Sequence, residues 1–164
     1  PDLADNAGRV ARVAELDAVI GGWTAQRTMA EALAAQGATV ELGGARDGAF
    51  YPATVLTGVT PEMRIFREEC FGPVACVYKV SSLDEAIALS NDSEFGLAAS
   101  VWSADPVEIE RLQRELEFGA VFANGNTASF FGLPFGGVKD SGYGRELGVF
   151  GIREFVNAKT VWTA

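Results

Sequence analysis

The chain has 164 residues, which is long enough for one domain with a sizeable core, and its 48% hydrophobic and 21% charged residues argue against disorder. The formal net charge of −9 opposes non-specific binding to nucleic acid, so no nucleic-acid partner is expected. No run of about 18 apolar residues occurs, so neither a transmembrane helix nor a membrane partner is expected. Residues 1–20 also lack the features of a secretion signal.

The chain contains no histidine, which rules out a histidine-based catalytic triad and a typical zinc site within it, and no metal is expected. Its two cysteines, Cys70 and Cys76, lie on one extended segment, about 20 Å apart by strand rise. A disulfide needs Cα atoms within about 7 Å, so we expect two buried free thiols in a reducing, cytoplasmic compartment. Because the sequence begins with Pro1, we expect a trimmed or partial chain.

Apolar residues at helical spacing predict two helical segments within residues 9–37, with a break at the Gly21-Gly22 pair. A short strand over residues 40–42 follows. Residues 50–59 are rich in β-formers and predict a second strand. Residues 74–80 predict a third.

Ser82, with Glu85 three residues later, is typical of a capping box that opens a helix, here over residues 83–91. A strand is predicted over residues 98–102. Asp105-Pro106 then begins a helix over residues 106–117, because proline is favoured in the first helical turn. Four apolar residues are expected on one side of that helix: Val107, Ile109, Leu112 and Leu116.

A further strand over residues 120–123 completes a strand–helix–strand–helix–strand order from residue 74 to residue 123. This order predicts an α/β fold with a parallel-type open sheet and flanking helices. Residues 124–151 are glycine-rich and predict a long loop, and loops of this length within a domain are usually functional. Residues 155–162 predict a terminal strand.

Residues 66–74 (FREECFGPV) place two adjacent carboxylates, Glu68 and Glu69, before an aromatic residue and a Gly-Pro turn. A carboxylate can accept two charge-assisted hydrogen bonds from a sugar diol, and a phenyl ring offers a flat apolar wall for a heteroaromatic ring. The alternative interpretation is a solvated loop with one core phenylalanine.

Residues 134–148 (PFGGVKDSGYGRELG) are glycine-rich, but their spacing is one residue too long for a dinucleotide-binding fingerprint. They also follow a polar loop, whereas such a fingerprint follows a strand. We therefore interpret these glycines as positions of positive φ or close backbone approach. Lys139 and Arg145 alternate with Asp140 and Glu146, which favours ion pairing within the loop.

Several stretches together resemble aldehyde dehydrogenases. They are EECFGPV at 68–74, NDSEFGLAASVW at 91–102, LPFGGVKDSGYGRELG at 133–148 and GIREFVNAKTVW at 151–162. The resemblance is strong over residues 40–164 and weak before them. It implies part of the family's catalytic domain over residues 1–155 and an oligomerisation strand over residues 156–164, hence a homo-oligomer.

The resemblance also implies roles for individual residues. Glu69 would bind the nicotinamide-ribose hydroxyls of NAD or NADP, and Phe71 would pack near the nicotinamide ring. Asn124 and the 134–148 loop would frame the site. The residues implied for the aldehyde substrate are Ser129, Phe130, Phe131 and Phe135. Cys70 would be a packing residue.

The family's reaction is oxidation of an aldehyde to a carboxylic acid through attack by a cysteine thiolate. That cysteine lies in a Gly-Gln-x-Cys context, and no Gly-Gln pair occurs in this chain. No catalytic residue is therefore assigned, and the chain alone is expected to be inactive. The loop looks most like that of bacterial succinate-semialdehyde dehydrogenases, in which a loop serine, here Ser129, would contact the substrate carboxylate.

Two alternatives stay open at this point. The first is a catalytically silent, aldehyde-dehydrogenase-like module that assembles with other subunits through its last strand, about residues 157–163, by β-addition. The second is an unrelated nucleotide-binding domain.

Overall fold

The computed structural model describes residues 37–45, 47–69 and 72–164. The helices predicted within residues 9–37 lie outside the described residues, apart from the last position. The chain divides into two compact units, with the boundary between Lys79 and Val80. Among the described residues, no helix is both long enough and apolar enough to cross a bilayer.

The described residues of the first unit form a three-stranded sheet and one short helix. Its elements are β1 (Thr39–Leu42), β2 (Thr54–Thr57), α1 (Arg64–Arg67) and β3 (Val74–Cys76). Strand β2 lies in the centre, antiparallel to β1 and parallel to β3. The first predicted strand is thus confirmed, whereas the second and third are shorter than predicted.

Local hydrogen bonding explains why the second and third strands are short. Asp47 and Phe50 exchange both backbone hydrogen bonds, at 3.1 and 2.9 Å, so Phe50 belongs to a tight turn. Pro52, which has no N–H to donate, separates that turn from β2. After β3, the ladder ends where the Val77 N–H donates to the Leu56 carbonyl at 2.8 Å.

The core of the first unit forms around β2. Leu56 and Thr54 point to the same face of the strand and are 0% and 2% exposed. The Thr54 hydroxyl donates to the Pro52 carbonyl and accepts from the Gly44 N–H, both at 3.0 Å, so its burial leaves no polar group unsatisfied. Leu56 packs in a buried cluster with Ala38, Val59, Met63 and Ile65.

The second unit contains three helices and two two-stranded sheets. Its elements are α2 (Leu83–Asn91), β4 (Phe95–Gly96), β5 (Ala98–Val101), α3 (Pro106–Glu115), β6 (Ala120–Ala123), β7 (Val138–Lys139) and α4 (Gly148–Glu154). Strands β5 and β6 are parallel and are joined through α3, and β4 is antiparallel to β7. The predicted α/β class, with parallel pairing, is confirmed.

Both predicted helix starts in this unit are confirmed. The Ser82 hydroxyl accepts from the Glu85 N–H at 3.1 Å. The Glu85 carboxylate binds the N–H and the hydroxyl of Ser81, both at 2.7 Å, one residue earlier than a capping box predicts. These bonds, the backbone one first, lower the pKa of Glu85. At α3, Asp105 Oδ1 accepts from the Val107 N–H at 2.8 Å.

The predicted apolar side of α3 is correct except for one residue. Leu116, which follows the helix, is buried, and Ile109 and Leu112 are partly buried. Val107 is 70% exposed, so its assignment to that side was wrong. The reason is geometric: two residues along an α-helix correspond to a rotation of about 200°, which turns Val107 away from Ile109.

Two features differ from the predicted order. The long loop predicted over residues 124–151 contains β7 and the start of α4. The terminal strand predicted over residues 155–162 is not formed within the chain, because no strand lies beside it among the described residues to complete a ladder.

Candidate functional site

The two adjacent carboxylates after α1 have different surroundings. Arg64 binds the Glu68 carboxylate with two donors: Nε donates to Oε1 at 2.8 Å, and Nη2 donates to Oε2. The hydrogen bond from Arg64 lowers the pKa of Glu68. Each Glu68 carboxylate oxygen therefore accepts a hydrogen bond from Arg64, and the pair is local to α1.

The Glu69 side chain is exposed, and no hydrogen bond or ion pair to its carboxylate is found in the described part of the chain. The turn that follows is fixed to the sheet, because the Pro73 carbonyl accepts from the Thr54 N–H at 2.7 Å. A negative carboxylate with both oxygens open to solvent can accept two hydrogen bonds from a vicinal diol. Phe71 and Cys70 lie outside the described residues, so their roles stay predictions.

The remaining candidate residues belong to the second unit. Asn124 directly follows β6 and has a positive φ of 52°. Its side-chain amide is bonded to the backbone of Ser103: the Ser103 N–H donates to Oδ1 at 3.1 Å, and Nδ2 donates to the Ser103 carbonyl at 3.0 Å. The amide thus ties the end of β6 to the chain that follows β5.

Ser129, Phe130 and Phe131 lie together on one exposed segment. Phe130 is 53% exposed and its ring lies 6.5 Å from that of Phe122, tilted by 32°. Phe131 is 92% exposed. Two adjacent phenyl rings facing solvent form an apolar patch that suits the wall of a substrate funnel.

Phe135 lies elsewhere in this unit. It is partly buried and exchanges backbone hydrogen bonds with Glu146, both at 2.8 Å. It lines an open hollow of about 360 Å³, whose other walls include Leu97, Tyr143, Arg145, Glu154 and Phe155. Among the described residues, the lining of this pocket does not include Ser129, Phe130 or Phe131.

The loop that carries Phe135 is held by close backbone packing. A Cβ added to Gly119 would lie 1.7 Å from the Gly136 carbonyl oxygen, so this approach requires glycine. The Ser141 hydroxyl accepts from the Gly96 N–H at 2.9 Å, which joins the loop to β4. The sequence-based interpretation of the glycines in residues 134–148 is confirmed by close approach at Gly136 and Gly137 and by positive φ at Gly142, Gly144 and Gly148.

The predicted ion pairing within this loop is wrong. Lys139 binds the Asn91 carbonyl at 2.7 Å and Glu117 Oε2 at 2.9 Å, at the ends of two helices. Arg145 donates from Nη1 to the carbonyls of Gly137 and Gly144, at 2.8 and 2.6 Å. Both cations bind backbone carbonyls, Arg145 within the loop and Lys139 at the end of α2.

Sequence reasoning did not single out Ser103, Ser141 or Asn91, although each fixes part of the site. The Ser103–Asn124 contact spans 21 residues and the Ser141–Gly96 contact spans 45. Local spacing carries no signal for pairs this far apart. Asn91 and Ser141 do lie within the stretches that carry the family resemblance, which was the signal available for them.

The chain matches known proteins over most of its length. A sequence profile described as "Aldehyde dehydrogenase family" matches residues 24–161. An aldehyde dehydrogenase of Paenarthrobacter nicotinovorans is 67% identical over 132 residues, which cover 79% of this chain and 29% of that protein. Succinate-semialdehyde dehydrogenase (NADP+) 1 of Mycobacterium ulcerans is 51% identical over 132 residues, with the same coverage of each chain.

A solved structure agrees with these sequence matches. Succinic semialdehyde dehydrogenase from Streptococcus pyogenes, in complex with NADP+, has a TM-score of 0.77 and 37% identity over 86% of this chain and 32% of its own. The chain spans about 29% of the length of the curated relatives it matches. Since the profile match over residues 24–161 includes both the Glu69 segment and the glycine-rich loop, the chain belongs to the aldehyde dehydrogenase family.

Proposed function

We propose that this chain is the C-terminal part of an NAD(P)-dependent aldehyde dehydrogenase that oxidises an aldehyde, with succinate semialdehyde as the proposed substrate, to a carboxylic acid. The observation that carries the proposal is the family match over residues 24–161. The substrate is supported by 51% identity to a protein named as a succinate-semialdehyde dehydrogenase. A cytoplasmic location is part of the proposal, since the spacing of Cys70 and Cys76 along one predicted extended segment is too wide for a disulfide.

Glu69 is the proposed anchor for the cofactor. Its exposed carboxylate fits a ribose diol, whereas the Glu68 carboxylate is already bound by Arg64. Phe71 is proposed to pack near the nicotinamide ring. When it is bound, the nicotinamide supplies the hydride acceptor for the oxidation. The contribution of this chain is to orient the ribose, and with it the reactive face of the ring.

The two neighbouring glutamates allow a matched test of this anchor in the full-length protein. Glu69→Gln keeps one acceptor oxygen but removes the charge. We expect the dissociation constant of NAD(P)H to rise about tenfold, because a weakened charge-assisted hydrogen bond of about 1.4 kcal/mol gives that factor. Glu68→Gln is the control and should leave cofactor affinity unchanged. Equal affinity of wild type and Glu69→Gln in a fluorescence titration would contradict the assignment.

Ser129, Phe130, Phe131 and Phe135 are proposed for the substrate. The exposed Ser129 hydroxyl can donate one hydrogen bond to a substrate carboxylate. Ser129→Ala should therefore raise KM for succinate semialdehyde and leave KM for butanal unchanged, since butanal has the same number of carbons but no carboxylate. A similar rise for both aldehydes in steady-state kinetics would show that Ser129 does not recognise the carboxylate.

The catalytic nucleophile is proposed to lie outside this chain. No Gly-Gln pair precedes either cysteine, and the chain spans only part of its relatives. We therefore expect no NADH or NADPH production from a panel of aldehydes by the chain alone, and steady turnover by the full-length protein. Turnover by the chain alone that survives Glu69→Ala would overturn this assignment.

Residues 156–164 are proposed as an oligomerisation strand that joins the sheet of a second copy. Val161 and Trp162 are 77% and 82% exposed, which supports a covering partner. Val161→Pro removes a ladder donor and should lower the oligomer mass in sedimentation, whereas Val161→Ile should preserve it. Assembly without any turnover by the full-length protein would instead favour a catalytically silent module.

A further inference from the structure

We propose that Asn124 is a positioning residue that determines selectivity for aldehydes with a distal carboxylate. Its side-chain amide fixes the start of the segment 125–133, which we call the substrate loop, and thereby sets the location of Ser129. This inference rests on the proposed function and extends it to a residue with no assigned role in substrate selection.

The contact between Asn124 and Ser103, here called the amide latch, uses both polar ends of one side chain. Oδ1 accepts from the Ser103 N–H at 3.1 Å, while Nδ2 donates to the Ser103 carbonyl at 3.0 Å. A third bond, from the Asn124 N–H to the Val101 carbonyl at 2.7 Å, continues the β5–β6 pairing. The loop therefore leaves the sheet from a point that is fixed by three hydrogen bonds.

The Ser103 end of the latch is itself fixed to α3. The Ser103 hydroxyl accepts from the Asp105 N–H at 3.0 Å and donates to Glu108 Oε2 at 2.7 Å. Asp105 is the N-cap of that helix. The latch thus connects the start of the substrate loop to α3 as well as to β5.

The far end of the substrate loop has its own anchors. The Phe130 ring contacts that of Phe122, and the Phe130 carbonyl accepts from the Leu133 N–H at 2.9 Å. The Phe131 carbonyl accepts from the Gly148 N–H at 3.0 Å. Ser129 lies between these anchors and the latch, so its position depends on both. Loss of the Asn124–Ser103 hydrogen bonds frees the first end of the substrate loop, which carries the Ser129 hydroxyl.

The φ of 52° at Asn124 dictates which substitutions are informative. Asparagine and glycine both adopt this conformation readily, whereas alanine is strained there. Asn124→Gly therefore removes the amide without straining the backbone. Asn124→Asp keeps the acceptor for the Ser103 N–H but loses the donor to its carbonyl. Glu94→Gly is the control, because Glu94 lies outside the substrate loop, is exposed, and has no side-chain hydrogen bond in the described chain.

Steady-state kinetics of the full-length protein test the selectivity. For Asn124→Gly we expect KM for succinate semialdehyde to rise about tenfold, the order expected for the loss of two hydrogen bonds, with kcat nearly unchanged. KM for butanal should not change, and Asn124→Asp should be intermediate. Glu94→Gly should behave as wild type. An equal loss of kcat with both aldehydes, or the same KM rise in Glu94→Gly, would overturn the proposal.

Amide hydrogen exchange separates this inference from the proposed function, because it needs no turnover. The Ser103 amide and the amides of residues 125–133 should exchange faster in Asn124→Gly than in wild type or Glu94→Gly. If the wild-type protein oxidises no aldehyde, the proposed function fails while the exchange result still tests the latch. Unchanged exchange in Asn124→Gly would overturn the positioning role whatever the activity.

Discussion

A single methyl group added at Gly119 tests whether the contact between β6 and the glycine-rich loop maintains the site. A Cβ at this position would lie 1.7 Å from the Gly136 carbonyl oxygen and 2.9 Å from the Gly137 Cα. All of the closest atoms belong to the backbone, so no side-chain rotation relieves the clash. The loop that carries Phe135 must therefore retreat by about 1.3 Å to reach the 3.0 Å limit for real Cβ contacts.

The expected cost follows from this displacement. Overpacking of this kind costs about 1–3 kcal/mol of folding free energy, and a displacement of about 1 Å at a site can lower the rate about a hundredfold. Gly119→Ala in the full-length protein should therefore lower the midpoint of thermal unfolding and lower kcat/KM. Gly132→Ala is the control, because an added Cβ there meets nothing within 4 Å. Wild-type stability and kcat/KM in Gly119→Ala would refute this reasoning.

Three further predictions concern stability and its dependence on pH. Leu56→Ala should lower the free energy of unfolding by about 2–5 kcal/mol in urea titrations, because Leu56 is fully buried. Leu42→Ala, on the exposed edge strand β1, should have little effect. Equal losses of stability in the two variants would contradict the assigned core. Burial, and then the neighbouring Cys76, raise the pKa of Tyr78 to about 12. As the pH rises, the Tyr78 hydroxyl loses its proton in the unfolded chain before it does so in the folded chain. The free energy of unfolding should therefore fall between about pH 10 and 12, and this fall should be smaller in Tyr78→Phe. The pKa of Glu85 is lowered in the folded state, so its stabilising contribution should be complete above about pH 4.5 and lost as the pH falls further. The free energy of unfolding of Glu85→Gln should therefore equal that of wild type only in acid.

Local sequence signals predicted α2 and α3 well, whereas the start of α4 was predicted as part of a loop. Ser82 and Asp105 accept hydrogen bonds from helix N–H groups only a few residues away, so the cap and the helix lie within one short window of sequence. The parallel pairing of β5 and β6 was also predictable from local sequence, because the helix between them has the length of a crossover connection. Strand lengths in the first unit were predicted less well, since pairing partners decide where a ladder ends.

The sequence by itself determined the family, the starts of α2 and α3, and the identity of Glu69 as a candidate, because these depend on residue types at short, fixed spacings. A local contact in α1 distinguishes the two adjacent glutamates, since Arg64 binds Glu68 one helical turn later. Tertiary structure decided that Asn124 binds Ser103 and that Lys139 binds Glu117, contacts that join residues more than 20 positions apart. The physical reason is that hydrogen-bond partners distant in sequence are selected by packing, which no local pattern encodes.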